Sequence, residues 1–208
     1  MRTEEYVLRT GDVIKVPVPE CYADCIELIR SDYYRYNGRI GSFFKMFIKT
    51  LSTPPFALTF WLRLAQIRGF WYWPAKFIHR HYSHKYGFQV YPSMNIGYGF
   101  CLGHAICVVI NPQTIIGNNV NISQFTQIGT STDFAAIIGD NVSLSPMVSL
   151  VNDVHIGSNS TIGTGAVVTK DVPGNATVVG VPAKVLHYNR PGHFVGSRWS
   201  LPWKENEE

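Results

Sequence analysis

From Val90 to Val172 the chain repeats an aliphatic residue every six positions, and this period limits the fold more than any other feature. Val90, Ile96 and Leu102 open the series. After a slip of two residues it continues through Ile110, Ile116, Ile122 and Ile128, and after a slip of four through Ile138, Leu144, Leu150, Ile156, Ile162 and Val168. Glycine often follows the aliphatic residue, and a β-branched or small residue often lies four after it, as at Val120, Val142 and Ala166. A helix repeats at about 3.6 residues and a half-buried strand at about 2, so neither fits. A solenoid of short flat strands joined by tight turns does, with each hexad sending one aliphatic side chain inward. With three hexads to a coil, residue i lies beneath residue i+18, which sets Ile138 on Ile156, Leu144 on Ile162 and Leu150 on Val168. Each such side chain contributes roughly 1.5–3 kcal/mol on burial, so stacking along one axis supplies most of the core. A β-sandwich with Gly-rich turns would not keep a six-residue phase over so many units.

The 208 residues suffice for one solenoid and a smaller helical unit. The four cysteines, Cys21, Cys25, Cys101 and Cys107, form no CxxC pair and follow no secretory signal, so they read as reduced thiols in a cytoplasmic protein. Cys21 and Cys25 share a helix face and are expected to be buried; no metal is expected. Net charge is only +4 but is unevenly spread, for no Asp or Glu occurs from Tyr33 to Thr132. Nine basic residues fall in the first half of that span: Arg35, Arg39, Lys45, Lys49, Arg63, Arg68, Lys76, Arg80 and Lys85. Such one-signed chemistry favours an anionic partner, whether cofactor phosphates, an anionic membrane face or an acidic glycan. No recognition motif supports nucleic acid.

Ahead of the repeat, residues 1–88 read as a helical domain. Helical spacing runs from Tyr22 to Tyr36 and stops at Asn37-Gly38. Ser42 can cap a second helix, Thr53-Pro54 a third that Gly69 ends, and Pro74 opens a fourth ending near Gly87. No segment here has the roughly 18–20 apolar residues a bilayer span requires. The aromatic, apolar helices suit a cap on the open end of the solenoid or on a neighbouring subunit. Residues 39–86 also suit a peripheral membrane contact, with Trp61, Phe70, Trp71, Tyr72 and Trp73 at the lipid boundary. Residues 89–186 form the repeat domain, and the tail 187–208 is expected to cover the exposed edge of the last coil.

Four segments carry a resemblance: Gly103-His104-Ala105, Gln127-Ile128-Gly129-Thr130, the run from Gly163 to Pro173, and Gly180-Val181-Pro182-Ala183-Lys184-Val185. Together with the period, they resemble the hexapeptide-repeat acyltransferases, within them the serine acetyltransferases and, more closely over Phe100 to Ile110, exopolysaccharide O-acetyltransferases of the colanic-acid type. The resemblance covers about residues 60–186. It implies a mainly β chain built as a left-handed parallel β-helix, a homotrimer with active sites between subunits, and acetyl-CoA as cosubstrate. His104 matches the family's catalytic histidine. As a neutral imidazole it would take the proton of an alcohol attacking the thioester, an effect of roughly 10²–10⁴ in rate. Gly129 and Thr130 match a turn near the thioester arm, Pro146 and Thr164 turns along the pantetheine, and Thr169, Lys170, Ala183 and Lys184 the region that holds the nucleotide and its phosphate. His155, in a repeat turn, is expected to be structural or solvent-facing.

Three departures shape the expected acceptor. Gln89 stands where serine acetyltransferases carry the Asp that pairs with the histidine, and Gly103 where they carry another Asp. The segment Ser131 to Ala136 is short and lacks their Arg-His pair. A zwitterionic amino acid needs fixed charges for selective binding, whereas a sugar can be held by amides, hydroxyls and aromatic faces. The expectation is therefore a sugar hydroxyl of a capsular or exopolysaccharide or its precursor, with Gln89 orienting His104 and Tyr91, Asn95, Tyr98 and Gln127 contacting the saccharide. Serine acetylation and a non-catalytic solenoid scaffold are the alternatives.

Overall fold

The structure, a computed structural model, describes residues 1–203. An N-terminal antiparallel hairpin, β1 (Arg2–Val7) and β2 (Val13–Val18), precedes four helices, α1 (Tyr22–Asn37), α2 (Phe43–Ser52), α3 (Pro54–Leu64) and α4 (Tyr72–Tyr86). The hairpin is not visible in the sequence pattern, because Pro17 and Pro19 mask its second strand. Gly38 and Gly87 end α1 and α4 in the left-handed region, as their sequence positions indicate. Ser42 accepts from the Lys45 N–H at the start of α2. Thr53 makes no side-chain cap, and α3 stops at Leu64, ahead of Gly69.

The repeat forms a left-handed parallel β-helix. In chain order its strands are β3 (Cys101–Gly103), β4 (Val109–Ile110), β5 (Ile115–Ile116), β6 (Asn121–Ser123), β7 (Gln127–Gly129), β8 (Ile137–Ile138), β9 (Ser143–Leu144), β10 (Ser149–Val151), β11 (His155–Ile156), β12 (Thr161–Ile162) and β13 (Val167–Val168). Then follow β14 (Thr177–Val179) and β15 (Lys184–His187). They build three faces, β3-β6-β9-β12-β14-β15, β4-β7-β10-β13 and β5-β8-β11. Ile138 pairs with Ile156, Leu144 with Ile162 and Leu150 with Val168, as the period requires. One buried cluster runs from Phe88 to Val178, and Leu58 and Leu62 of α3 close its open end. The helices thus cap the first coil.

Two backbone devices keep the coils in contact. One corner repeats asparagine in the left-handed region, at Asn119, Asn141, Asn159 and Asn175, where a short amide side chain tolerates positive φ. Their amides also bond along the stack, Asn141 to Asn159 at 3.0 Å and Asn159 to Asn175 at 3.3 Å. Another corner admits only glycine: a Cβ on Gly117 would stand 2.7 Å from the Gly139 carbonyl.

The tail departs from expectation. The last coil's edge is covered by β15, which pairs antiparallel with β14. Beyond it the chain turns back along the asparagine corner, where the Asn119 amide accepts from the Trp199 N–H and Leu201 and Trp203 pack beside Leu28 and Tyr98. Residues 204–208 lie outside the described residues. The cysteines are all free, Cys25 buried but Cys21 exposed, contrary to the expected burial of both; Cys21 sits at the start of α1, outside the packed face.

The hairpin covers the β5-β8-β11 face, where Leu8, Ile14 and Val16 bury against Ile115 and Ile137. Arg9 fastens it. Its guanidinium bonds Asp171 at 2.8 Å and Asp153 at 3.1 Å, and its N–H donates to Nδ1 of the buried His155 at 2.8 Å. Burial first, then Arg9, holds the His155 pKa below its usual value, while the Arg9 hydrogen bond holds the Asp171 carboxyl low. The unfolded chain protonates such a histidine below about pH 6.5, whereas the folded chain resists, so stability falls as the pH drops past that point. The depressed Asp171 acts in the same direction at lower pH. Hydrogen exchange of the β1–β2 amides is therefore expected to accelerate relative to the solenoid between about pH 7 and 5. Equal protection across that range would contradict this fastening. A second expectation concerns glycine: Gly117→Ala should lower stability by about 1–3 kcal/mol through overpacking. Gly129→Ala, with nothing within 4 Å of the new methyl, should stay within about 0.5 kcal/mol in the same thermal or urea unfolding series.

Candidate active site

The site begins with Tyr36, near the end of α1. Its hydroxyl accepts from the Leu102 N–H and donates to the Leu102 carbonyl, both at 2.9 Å. Burial lifts this phenol well above its usual range, so it stays neutral and can do both. Strand β3 is thereby pinned just before His104. Sequence reading placed Tyr36 on the helix but not in this role; only its helical spacing toward the solenoid hinted at it.

From Leu102 to Ile110 the spacing is eight residues instead of six. The two extra residues swell the corner between β3 and β4, and His104 stands there. It is exposed, with φ +51, a left-handed conformation uncommon for a side-chain-bearing residue. Its carbonyl accepts the Ile106 N–H at 2.6 Å. Further along the corner the Cys107 N–H donates to the Tyr86 carbonyl at 2.8 Å, and the Phe125 N–H to the Ile106 carbonyl at 3.0 Å. The imidazole is therefore presented to solvent from a backbone fastened on both sides.

The second slip, ten residues from Ile128 to Ile138, makes a loop at the corner between β7 and β8, with Gly129 to Ser131 edging the β4-β7-β10-β13 face and Asp133 to Ala135 edging the β5-β8-β11 face. The Thr130 hydroxyl donates to the Phe134 carbonyl at 2.6 Å, and the Ser131 N–H to the Asn152 amide oxygen at 3.2 Å. Beside the loop's first residues lies an open cleft lined by Val109, Gln127, Gly129, Thr130, Ser149 and Val167. Gln89 joins the same row. Its N–H donates to the Val108 carbonyl, its carbonyl accepts from Ile110, and it pairs with Val109, which pairs with Gln127. Both glutamine side chains are exposed.

The residues expected on the donor side also gather. The Gly165 N–H donates to the Pro146 carbonyl at 2.9 Å, which sets Thr164 one coil beyond Pro146. Thr169 and Lys170 follow β13 and are exposed. The Ala183 N–H donates to the Val167 carbonyl at 2.8 Å, so Ala183 and Lys184 lie beside that same strand. All of these border one face.

Two expected contacts do not join. The Asn95 amide donates to the Tyr6 hydroxyl at 2.6 Å and the Glu4 carboxylate at 3.1 Å, under the hairpin. Tyr98 is buried, its hydroxyl donating to Glu27 at 2.9 Å and its ring packed on Trp203. Sequence spacing puts them in the right segment but cannot show that the hairpin and tail cover that side. Tyr91 is exposed and shares a separate cleft with Gln89, Lys76, Arg80 and His84 of α4. His79 lines this cleft too; burial pushes its pKa down to about 4.

Residues 135–170 match the family described as bacterial transferase hexapeptide (six repeats). Serine acetyltransferase 2 of Arabidopsis thaliana is 32% identical over 108 residues, covering 50% of this chain and 33% of that protein. The solved serine acetyltransferase of Neisseria gonorrhoeae superposes with a TM-score of 0.63 at 30% identity, covering 79% of this chain and 66% of that one. A serine acetyltransferase from Brucella abortus, solved in complex with coenzyme A, shares the fold at 22% identity, with a TM-score of 0.62 over 79% of this chain and 67% of that one. The chain spans about a third to a half of the length of the relatives matched by sequence, from 30% to 52%.

These likenesses overturn the expected capsular or exopolysaccharide acceptor, and nothing in them singles out the colanic-acid branch. That expectation rested on charged residues missing at Gln89, at Gly103 and from the segment Ser131 to Ala136, and on the likeness over Phe100 to Ile110. A missing Arg-His pair shows where charge is not, and does not show what replaces it. The fold brings the cations Lys76 and Arg80, with His84, to the cleft beside Gln89, and no local motif announced them there. By repeat and fold the chain is a hexapeptide-repeat, left-handed β-helix protein, and in sequence it is similar to the serine acetyltransferases.

Proposed function

We propose that this chain is an acetyl-CoA-dependent O-acetyltransferase whose acceptor is the hydroxyl of serine, with His104 as general base. The observation that carries the reading is the placement of His104: exposed, at the corner swollen by the first phase slip, and backed by the Tyr36 clamp. It joins the 30–34% identity to proteins named serine acetyltransferase. An alcohol is a poor nucleophile until a base removes its proton during attack. The imidazole of His104 takes that proton as the serine oxygen bonds to the thioester carbonyl carbon. Backbone N–H groups of a neighbouring turn can hold the resulting oxyanion. Its collapse breaks the carbon–sulfur bond, and the imidazolium returns the proton to the departing thiolate. Gln89 would orient the ring through its amide in place of a carboxylate.

The donor would lie along the β4-β7-β10-β13 face, with Gly129 and Thr130 near the thioester, Pro146 and Thr164 along the pantetheine arm, and Thr169, Lys170, Ala183 and Lys184 at the nucleotide end. Coenzyme A is bound by the Brucella abortus protein of the same fold. A homotrimer is part of the reading. Ile106, Phe125 and Met147 leave an exposed apolar column on the corner beside His104, suited to burial by a neighbouring subunit that would complete the site.

His104→Ala is expected to lower turnover of acetyl-CoA and serine to O-acetylserine by roughly 10²–10⁴, the usual worth of a general base. Calorimetry should show its coenzyme A affinity little changed. Near-normal product formation in that variant would remove the assignment, and a wild-type protein that releases no free CoA with serine would leave the solenoid without this activity. Lys170→Ala and Lys184→Ala should each weaken coenzyme A binding by roughly two- to tenfold, with a shallower salt dependence. If coenzyme A and dephospho-coenzyme A bind both variants as they bind the wild type, the lysines are bystanders.

A further inference from the structure

Helix α2 is apolar on the side it turns outward. Met46 and Thr50 are buried against the neighbouring helices, whereas Phe43, Phe44, Phe47, Ile48 and Leu51 are exposed. At about 100° per residue those five side chains cover an arc of about 140°, with Lys45 about 60° beyond one edge and Lys49 on the far side. A helix that covered only its own domain would carry polar residues there.

The exposed face does not end with α2. Phe43, Phe44 and Phe47 line a groove with Phe60, Trp61, Leu64 and Trp71, and this groove shows no polar surface. From Trp71 the patch continues through Phe70, Trp73 and Phe77, all exposed, with Phe70 at 84% and Phe77 at 75% of full exposure. The whole lies at the end of the molecule formed by α2, the α3–α4 connection and the first turns of α4. Such an area exceeds the scattered apolar side chains usual on a protein surface.

Its charge is one-signed. Lys45, Arg68, Lys76 and Arg80 are exposed around the patch, and Lys76 sits 5.3 Å from the Tyr72 ring centre and 5.5 Å from that of Trp73. With no carboxylate from Tyr33 to Thr132, nothing within these elements neutralises them. That balance decides between occupants. A second copy packed face to face would bring like charges together as it buried the aromatics. An anionic lipid surface takes both, with rings at the acyl boundary and ammonium and guanidinium groups at the phosphates. Among the described residues no helix is long and apolar enough to cross a membrane, so the contact would be an interfacial one.

We infer that α2 and the α3–α4 connection form a docking surface for the face of an anionic lipid bilayer. Flotation of the full-length protein with vesicles of phosphatidylcholine alone, and of phosphatidylcholine mixed with phosphatidylglycerol, tests this. Binding is expected on the anionic vesicles at low ionic strength, weakening as salt is added. Leu51→Ser/Phe70→Ser should reduce that binding by roughly tenfold or more, because the apolar contact area is lost. Lys45→Glu/Arg68→Glu should erase the preference for anionic over neutral vesicles. Thermal unfolding and O-acetylserine formation should be unchanged in both variants, whose side chains lie outside the core and the cleft, so this test is independent of the proposed activity. Absence of flotation on anionic vesicles at low salt would overturn the inference. So would flotation untouched by the serine substitutions, or sedimentation showing that they dissolve a self-association present in the wild type.

Discussion

Everything in the first coil depends on one buried ion pair. Arg63 of α3 and Asp32 of α1 are both fully buried and meet in a two-pronged contact of 3.0 and 3.1 Å. The guanidinium also donates to the carbonyls of Ile96 at 2.8 Å and Gly97 at 2.6 Å, and the carboxylate accepts from the Phe100 N–H at 2.8 Å. Two helices and the top of the solenoid are thus joined through backbone groups that the missing preceding coil cannot satisfy. A buried ion pair is weak grounds for net stability, since desolvation offsets much of its attraction. Here it sets how the cap docks, because an apolar pair could not answer the open carbonyls.

The same pair changes the meaning of the charge count. Arg63 and Arg35 look in the sequence like members of a basic surface. Arg35 instead donates to Gly99, Gly196 and Asn121, tying α1 to the coil corner and the returning tail. Two of nine cations are therefore internal. Those that remain outside are concentrated on α2, on the α3–α4 connection and along α4, where the exposed aromatics also lie.

The placement of the candidate site residues follows from departures in the repeat. A hexad that keeps phase has its turn positions filled by neighbouring coils, with Gly97, Gly117, Gly139 and Gly157 stacked at near-contact distances. Extra residues cannot enter such a stack and must leave it. The two-residue excess after Leu102 carries His104 outward, and the four-residue excess after Ile128 forms the loop whose first residues edge the cleft. Tyr36 then limits where the histidine stands by holding Leu102 from the helical side.

The six-residue period by itself determined the solenoid, its core residues and its register, because one aliphatic side chain per hexad has only one place to go. His104 and the Gly129–Thr130 turn were marked by the family resemblance and not by the period, and the helix boundaries at Gly38 and Gly87 were legible from local stop signals. What only the tertiary structure decided was which side of each coil remains open. Asn95 and Tyr98 belong to the right segments but are covered, by the hairpin in one case and by α1 and the tail in the other. Lys76, Arg80 and His84 come to the cleft from a helix whose sequence announces no site. The physical reason is range. A period or a cap is written in neighbouring residues, whereas coverage by the hairpin and tail depends on contacts such as Arg9 with His155 and Asn119 with Trp199, 146 and 80 positions apart.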